Sequence, residues 1–159
     1  MEKIVIASDH AGFGLKEKLK IYLEHNGLAV NDLGTYSQER CDYPEFAYRL
    51  AQKISKGSVK RGVLICYSGI GVSIVANRLP RVRAALCYNV KAAELSRLHN
   101  DSNVLVLGAG FVTPVEAKRI VKVWLNTPFE GGRHRRRLDI IRKIEKELKG
   151  QPDEASKKD

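Results

Sequence analysis

The sequence lacks any long run of apolar residues. The first apolar stretch covers only residues 4–7, which is too short for the core of a signal peptide, and no later stretch approaches the length of a membrane-spanning helix. These absences argue against a helical membrane protein. They lead us to expect a cytoplasmic location with no membrane partner.

Cysteine is scarce and shows no pairing pattern. The three cysteines, Cys41, Cys66 and Cys87, are odd in number, lack CxxC spacing and have no histidines at zinc-finger intervals. The sequence therefore predicts neither a disulfide framework nor a metal site. Cys41 and Cys87 are interpreted as small buried hydrophobic residues.

Two common phosphate-binding patterns are also absent. The loop Ser68-Gly69-Ile70-Gly71 would need a third glycine where Ile74 stands to match a dinucleotide fingerprint, and the Gly-Lys-Ser/Thr run of a P-loop does not occur. The arginine that a cysteine phosphatase needs after its cysteine loop is missing as well. These absences exclude a dinucleotide-binding fingerprint, a P-loop and a cysteine phosphatase.

Basic residues are in excess, with a formal net charge of +10. Half of the excess lies in residues 132–149, which contain eight Lys or Arg and three Asp or Glu. Such a segment can attract an anionic substrate or a nucleic acid. At 100° per residue, Arg133 and Arg137 share a helical stripe with Ile141 and Ile144, which predicts that both arginines face protein and can grip a phosphate. The alternative is a solvated basic helix.

Short apolar runs alternate with amphipathic segments along the chain. This order predicts a three-layer α/β/α, Rossmann-like fold with a five-stranded parallel sheet and an additional C-terminal helix. We expect one domain over residues 1–149 and a disordered tail over 150–159. The predicted strands are 4–7, 29–33, 63–66, 84–87 and 104–107, and the predicted helices are 15–25, 44–56, 71–78, 91–98, 114–126 and 133–148.

Ligands of such sheets bind beyond the carboxyl ends of the strands. Asp9 and His10 follow the first strand, and Cys66 ends the third, before the glycine loop. Backbone N–H groups of that loop would favour a thiolate at Cys66 and could hold an oxyanion, either a phosphate or an enediolate. By position alone, His99 and Asn100 belong to an ordinary polar turn after the fourth helix.

Several dispersed motifs together resemble the type B ribose-5-phosphate isomerases of the ribose/galactose isomerase family. The resemblance covers about residues 1–148. It rests on Ser8-Asp9-His10-Ala11-Gly12, Asp42-Tyr43-Pro44, Cys66 through Gly71, Ala76-Asn77-Arg78, His99-Asn100-Asp101 and Glu130-Gly131-Gly132-Arg133-His134.

The resemblance implies a cofactor-free aldose–ketose isomerase that acts through a cis-enediolate and interconverts ribose 5-phosphate and ribulose 5-phosphate in the pentose phosphate pathway. It assigns Cys66 as the base at C2, Ser68 as a proton shuttle between O1 and O2, and His99 as the acid that opens the furanose ring. Val72 stands where other members use a glutamate base. The implied substrate-binding residues are Asp9, His10, Tyr67, Gly69, Ile70, Gly71, Asn100, Arg133 and Arg137.

The resemblance also implies a homodimer or homotetramer whose sites draw residues from two subunits, with no nucleic-acid partner. Two positions depart from the common pattern, because many members have Gly-Thr in place of Tyr67-Ser68 and many have a phosphate-binding arginine in place of Gly110. A six-carbon substrate such as allose 6-phosphate therefore remains an alternative. Two others are a non-catalytic phosphosugar sensor and a nucleic-acid binder.

Overall fold

A computed structural model describes residues 1–150 as five strands alternating with helices, followed by a sixth helix. The strands are β1 (Lys3–Ser8), β2 (Ala29–Asp32), β3 (Arg61–Cys66), β4 (Ala84–Leu86) and β5 (Val104–Gly108). The helices are α1 (Phe13–His25), α2 (Tyr43–Ser55), α3 (Ile70–Ala76), α4 (Val90–Asn100), α5 (Pro114–Asn126) and α6 (Arg133–Lys149). The predicted tail lies outside the described residues apart from Gly150.

The five strands form one parallel sheet in the order β2-β1-β3-β5-β4. The order reverses between β1 and β3, which makes the gap between their carboxyl ends the topological switch point where ligands of such sheets bind. The predicted α/β/α fold is confirmed. None of the helices described is long and apolar enough to cross a membrane.

Side chains of the central strands alternate between two hydrophobic clusters, one on each face of the sheet. Ile4 and Ile6 of β1 pack beneath α1 and α5, whereas Val5 and Ala7 pack beneath α2 and α3. Both faces are therefore buried, which explains why the strands read as continuous apolar runs. Helix α6 lies outside these layers and packs against α4.

One ion pair is buried beside the end of β2. The side chain of Lys16 on α1 is fully buried and donates to Asp32, which also accepts from Lys20 at 3.2 Å. Burial raises the pKa of Asp32, but hydrogen bonds from Lys16, the Gly34 N–H and Lys20 outweigh that effect and hold the pKa below its usual value. The pair ties α1 to the sheet.

Replacing Asp32 with alanine is expected to lower the free energy of unfolding by about 3 kcal/mol, because it leaves a buried ammonium with only Glu17 beside it. Chemical denaturation measures the loss. The wild-type contribution should be present above the unfolded-state pKa of about 3.9 and disappear as the pH falls through the lower folded pKa. Glu94→Ala, in the exposed Lys91 pair, serves as control and should cost less than about 1 kcal/mol. Equal losses in both variants would contradict this account.

Candidate active site

The carboxyl ends of β1 and β3 bring Asp9 and Cys66 to the switch point. The Asp9 N–H donates to the carbonyl of Ile65 at 3.3 Å, which joins the two strand ends. The Asp9 carboxylate is buried, and its Oδ1 accepts from the Gly12 N–H at 3.0 Å. That bond holds the carboxylate in a fixed orientation as the chain enters α1.

Cys66 has the polar surroundings that its sequence position predicted. The residue is 5% exposed, and its Sγ accepts from the Gly69 N–H at 3.1 Å. The first amide of the glycine loop is therefore directed at the sulfur. At Cys87, burial, only partly opposed by the Ser96 hydroxyl, raises the pKa of the thiol to about 11. The interpretation of Cys87 as a buried hydrophobic residue is confirmed.

The first N–H groups of the glycine loop after Cys66 donate hydrogen bonds to side chains of the same segment. The Ile70 N–H donates to Ser68 Oγ at 3.1 Å, and the Gly69 N–H is taken by Cys66. Within residues 1–150, the N–H groups of Gly71 and Val72 make no hydrogen bond. The loop therefore leaves the Gly71 and Val72 amides without an acceptor, and the binding of an oxyanion by the amides of Gly69 to Gly71 stays a prediction.

Two glycines of this loop lie where an added side chain would meet a neighbouring side chain. Gly69 has φ of +82°, and a Cβ there would lie 2.5 Å from the Leu86 side chain. A Cβ at Gly71 would lie 2.5 Å from the ring of Tyr43, which is 39% exposed at the start of α2. The phenol of Tyr43 thus lies beside the free amides. Sequence analysis used Tyr43 only as part of a motif and assigned it no place in the site.

His10 is oriented by the segment before α2. Its Nδ1 lies 3.2 Å from the Cys41 nitrogen, which donates to it, and 3.9 Å from the Cys41 sulfur. The interpretation of Cys41 as a buried hydrophobic residue was wrong, because this cysteine is half-buried and contacts a candidate site residue. With Nδ1 held by protein, Nε2 is the nitrogen left for a ligand.

Aromatic side chains surround the outer rim of the loop. Tyr67 packs edge-on against Phe111 with ring centroids 6.0 Å apart, and Tyr88 stacks on Phe111 at 5.1 Å. The Tyr88 hydroxyl donates to the Ser68 carbonyl at 2.7 Å, a support that no sequence motif indicated. A Cβ at Gly110 would lie 2.5 Å from the Tyr67 ring, so this tyrosine occupies the space above that glycine.

The remaining predicted residues lie at the opposite, amino edge of the sheet. His99 and Asn100 occupy the last turn of α4, whereas sequence analysis placed them in a turn after it. Next to them, the carbonyl of Asn103 accepts from the Gly62 N–H at the start of β3. The five residues of β3 from Gly62 to Cys66 span roughly 13 Å, because each of the four steps between them adds about 3.3 Å. His99 and Cys66 therefore do not meet within one chain.

Arg133 and Arg137 belong to the amino-edge group, because α6 packs against α4. The prediction that these arginines face protein is not met in the single chain, where both are exposed. The buried positions of the first turns are His134 and Leu138. Arg133 and Arg137 do share one face of the helix, as predicted. The face of α6 that packs against the protein is instead the one that carries His134 and Leu138.

His134 supports His99 directly. The two imidazole rings stack with centroids 4.2 Å apart and an angle of 13°. Burial, and then the charges of His99 and Arg133, lower the pKa of His134 despite the opposing charge of Glu130. Sequence analysis placed His134 at the start of the last helix, and this is confirmed, because His134 is the second residue of α6. The sequence did not indicate that its side chain is almost fully buried.

The folded chain thus presents two groups of candidate residues on opposite edges of its sheet. Comparison with known proteins identifies the family of the chain. The family described as Ribose/Galactose Isomerase matches residues 4–141. The chain belongs to this family.

Similar family members span nearly the whole chain. Ribose-5-phosphate isomerase B of Escherichia coli is 45% identical over 145 residues, which cover 91% of this chain and 97% of that protein. The solved Clostridium thermocellum ribose-5-phosphate isomerase B is 44% identical with a TM-score of 0.90, covering 92% of this chain and 99% of that one. The Mycoplasma genitalium enzyme, solved with bound ribulose-5-phosphate, is 45% identical with a TM-score of 0.88, covering 91% and 97%. The expected family is confirmed.

Proposed function

We propose that the chain is an isomerase that interconverts ribose 5-phosphate and ribulose 5-phosphate. The observation that carries this proposal is the match with ribose-5-phosphate isomerases B over more than nine-tenths of the chain. A coupled assay of ribulose 5-phosphate formation from ribose 5-phosphate tests it directly. Absence of turnover by the folded protein would contradict it.

Cys66 is the proposed base. As a thiolate it would remove the proton from C2 of the open-chain aldose, leaving the electron pair in a cis-enediolate, and would return that proton to C1. Ser68 Oγ would move the second proton between O1 and O2. The free N–H groups of Gly71 and Val72 are suited to stabilise the negative oxygen of the enediolate. Asp9 is suited to bind sugar hydroxyl groups.

A complete site requires a second copy of the chain. The proposed ring-opening acid His99, together with Asn100, lies at the amino edge, whereas Cys66 lies at the carboxyl edge. A homodimer in which the carboxyl edge of one protomer faces the amino edge of its partner would unite them at two equivalent places. His10 of one protomer and Arg133 and Arg137 of its partner would then bind the phosphate.

Exposed apolar side chains near both groups support this homodimer. Ile70 and Ile74 on α3 are each about half exposed beside the Cys66 loop. Ile140 and Ile144 on α6 are each 48% exposed beyond Arg137. Apolar surface of this kind on either side of a polar site is typical of an interface between subunits. A tetramer built from two such dimers remains a prediction.

Replacing Arg137 with alanine is expected to raise the KM for the sugar phosphate by ~10- to 100-fold, the effect of losing one charge-assisted hydrogen bond to phosphate. The kcat should change little, because the phosphate is remote from C1 and C2. Steady-state kinetics measure both constants. Arg135→Ala is the control, since Arg135 stacks on Phe129 instead. Unchanged preference for phosphorylated over free sugar would count against the clamp.

A six-carbon sugar phosphate is the second candidate substrate. The Tyr67 ring over Gly110 is the specific feature behind it, because it replaces a charge at the rim with an aromatic surface. The ratio of kcat/KM for ribose 5-phosphate and allose 6-phosphate decides between them. The cytoplasmic location and the absence of a nucleic-acid partner stay predictions, and binding to DNA or RNA that weakens steeply with salt would contradict the second.

A further inference from the structure

The last turn of α4 is followed by a residue in a left-handed conformation. His99 and Asn100 are the final residues of the helix, and Asp101 has φ of +44° and ψ of +47°. This region disfavours residues that carry a Cβ, because that atom comes close to a backbone carbonyl, so such a residue persists there only where neighbouring contacts fix it. The contacts of Asp101 therefore decide where α4 stops and how His99 and Asn100 are presented.

Two arginines share the carboxylate of Asp101. Arg83, directly before β4, donates from Nη2 to Oδ2 at 3.1 Å, and Arg97, one turn earlier in α4, donates from Nη1 to Oδ1 at 2.9 Å. The side chains of Arg83, Arg97 and Asp101 are only 23%, 13% and 27% exposed. Charge-assisted bonds at both oxygens leave the carboxylate little freedom to turn. We call these three residues the α4 clamp.

The α4 clamp also holds the backbone at the end of the helix. Arg83 Nε donates to the carbonyl of Asn100 at 3.0 Å and to that of Asp101 at 2.9 Å. The last carbonyls of a helix have no partner within it and lie at the negative end of its dipole, so a cation is favoured there. One guanidinium thus fixes both the carboxylate of Asp101 and the peptide group that joins this residue to Asn100.

Arg83 is itself anchored to the sheet. Its N–H donates to Oδ1 of Asn103 at 2.8 Å, and its carbonyl accepts from the N–H groups of Asn103 at 3.1 Å and Val104 at 3.3 Å. Val104 begins β5, which is buried along its whole length. A functional group is held most accurately when its support belongs to a rigid element. The end of α4 is therefore fixed relative to the sheet.

We propose that Arg83 and Asp101 are positioning residues for the opening of the sugar ring. This inference rests on the proposed function, in which His99 donates a proton to the ring oxygen O4. As the C1–O4 bond breaks, its electron pair stays on O4, and the C1 hydroxyl loses its proton to water to form the aldehyde. The stacked ring of His134 restrains the imidazole of His99, whereas the α4 clamp fixes the backbone that carries it. A misplacement of ~1 Å can slow a step by about 10²-fold.

Two sugar phosphates separate ring opening from proton abstraction. Ribose 5-phosphate must be opened before Cys66 can remove the C2 proton. Ribulose 5-phosphate has no furanose form, because the C5 hydroxyl that would close the ring on its C2 ketone carries the phosphate. Exchange of its C1 proton with deuterated solvent therefore requires the base but not the ring-opening acid. Loss of the α4 clamp should lower turnover of ribose 5-phosphate and leave this exchange intact, since Cys66 lies at the opposite edge of the sheet.

Arg83→Ala tests the proposal, with Arg61→Ala as the matched control. Arg61 is 20% exposed, pairs with Glu2 and donates to the Leu125 carbonyl, so its loss also removes a partly buried ion pair at the amino edge. We expect Arg83→Ala to lower kcat for ribose 5-phosphate by at least ~10-fold and to keep C1 exchange close to that of the wild type. In Arg61→Ala both rates should match the wild type. A parallel fall of both rates in Arg83→Ala, or a fall of neither, would overturn the proposal.

Amide hydrogen exchange provides a readout that does not depend on activity. The N–H groups of Asp101 and Ser102 donate to the carbonyls of Arg97 at 3.1 Å and Ser96 at 3.0 Å, and these bonds close the end of α4. Exchange at both amides should accelerate by at least ~10-fold in Arg83→Ala and stay at the wild-type rate in the control. Unaltered exchange in Arg83→Ala would refute the α4 clamp.

Asp101→Asn is the second variant, and it decides by the same measurements should Arg83→Ala fail to fold. Asparagine adopts the left-handed conformation as readily as aspartate, so this change removes only the charge that the two arginines share. It should lower kcat for ribose 5-phosphate more than it lowers C1 exchange, and equal losses would count against positioning. A wild type that converts neither sugar phosphate would refute the proposed function and leave the amide result standing.

Discussion

Cys66→Ala is expected to lower kcat for isomerisation by on the order of 10³-fold, the contribution of a positioned general base. Alanine fills the strand position without strain but has no group that can take the C2 proton. Sugar-phosphate binding should be largely kept, because the hydroxyl and phosphate contacts come from other residues. Exchange of the C2 proton with deuterated solvent, followed by NMR, measures the chemical step, and calorimetry measures binding.

Cys87→Ala provides the matched control for this experiment. Cys87 is also buried and directly follows β4, but its pKa of about 11 keeps it a thiol at neutral pH. Its removal should leave the kcat near that of the wild type and cost some stability through the cavity it creates. Normal proton exchange in Cys66→Ala would refute the proposed base. Loss of exchange in Cys87→Ala would show that the assay responds to packing instead.

Mixing two inactive variants is expected to restore activity. In a hybrid dimer of Cys66→Ala and His99→Asn chains, one of the two sites carries both defects and the other carries none. Random assembly of equal amounts should therefore recover ~25% of the wild-type sites, because half of the dimers are hybrids with one intact site each. Co-refolding the two chains and assaying turnover against each variant alone measures the recovery.

The control for this mixing experiment uses two defects on the same edge. Ser68→Ala and Cys66→Ala both alter the carboxyl-edge group, so every site in their hybrid dimer keeps one defect and no recovery is expected. Equal recovery in both mixtures would contradict the division of the site between two protomers. An active His99→Asn chain would remove His99 from the proposed mechanism. Sedimentation or light scattering on the mixtures checks that dimers have formed.

The elements of the fold could be predicted because local signals and tertiary packing agree in this chain. Buried strands such as β3 read as unbroken apolar runs, and each ends in glycine or polar residues at the sheet edge. Helix ends were predicted less accurately, since α4 extends through His99 to Asn100 and is followed by Asp101 in a left-handed conformation. Aspartate is common both in this conformation and in ordinary turns, so the sequence alone does not show where the helix ends.

Cys66 could be found from the sequence because a strand end and a glycine loop are adjacent along the chain. The partners of that loop could not, since Tyr43 and Tyr88 reach it from distant segments. Helical phase grouped Arg133 with Arg137 correctly, but periodicity does not say whether a stripe packs on its own chain or on another. His134 was missed because its burial depends on stacking against α4, a contact between segments with no shared motif.

The position of the Tyr67 ring over Gly110 restricts how this rim can change over evolution or by design. A side chain at residue 110 and an aromatic ring at residue 67 compete for the same volume. A substitution at one position therefore favours a substitution at the other. An arginine introduced at 110 alone displaces the ring, and because Tyr67 is 63% exposed, its ring can turn outward at the cost of its packing against Phe111. Tyr67→Gly removes that cost, so Gly110→Arg should be better tolerated in its presence. These two neighbours in space, 43 positions apart in sequence, should therefore covary.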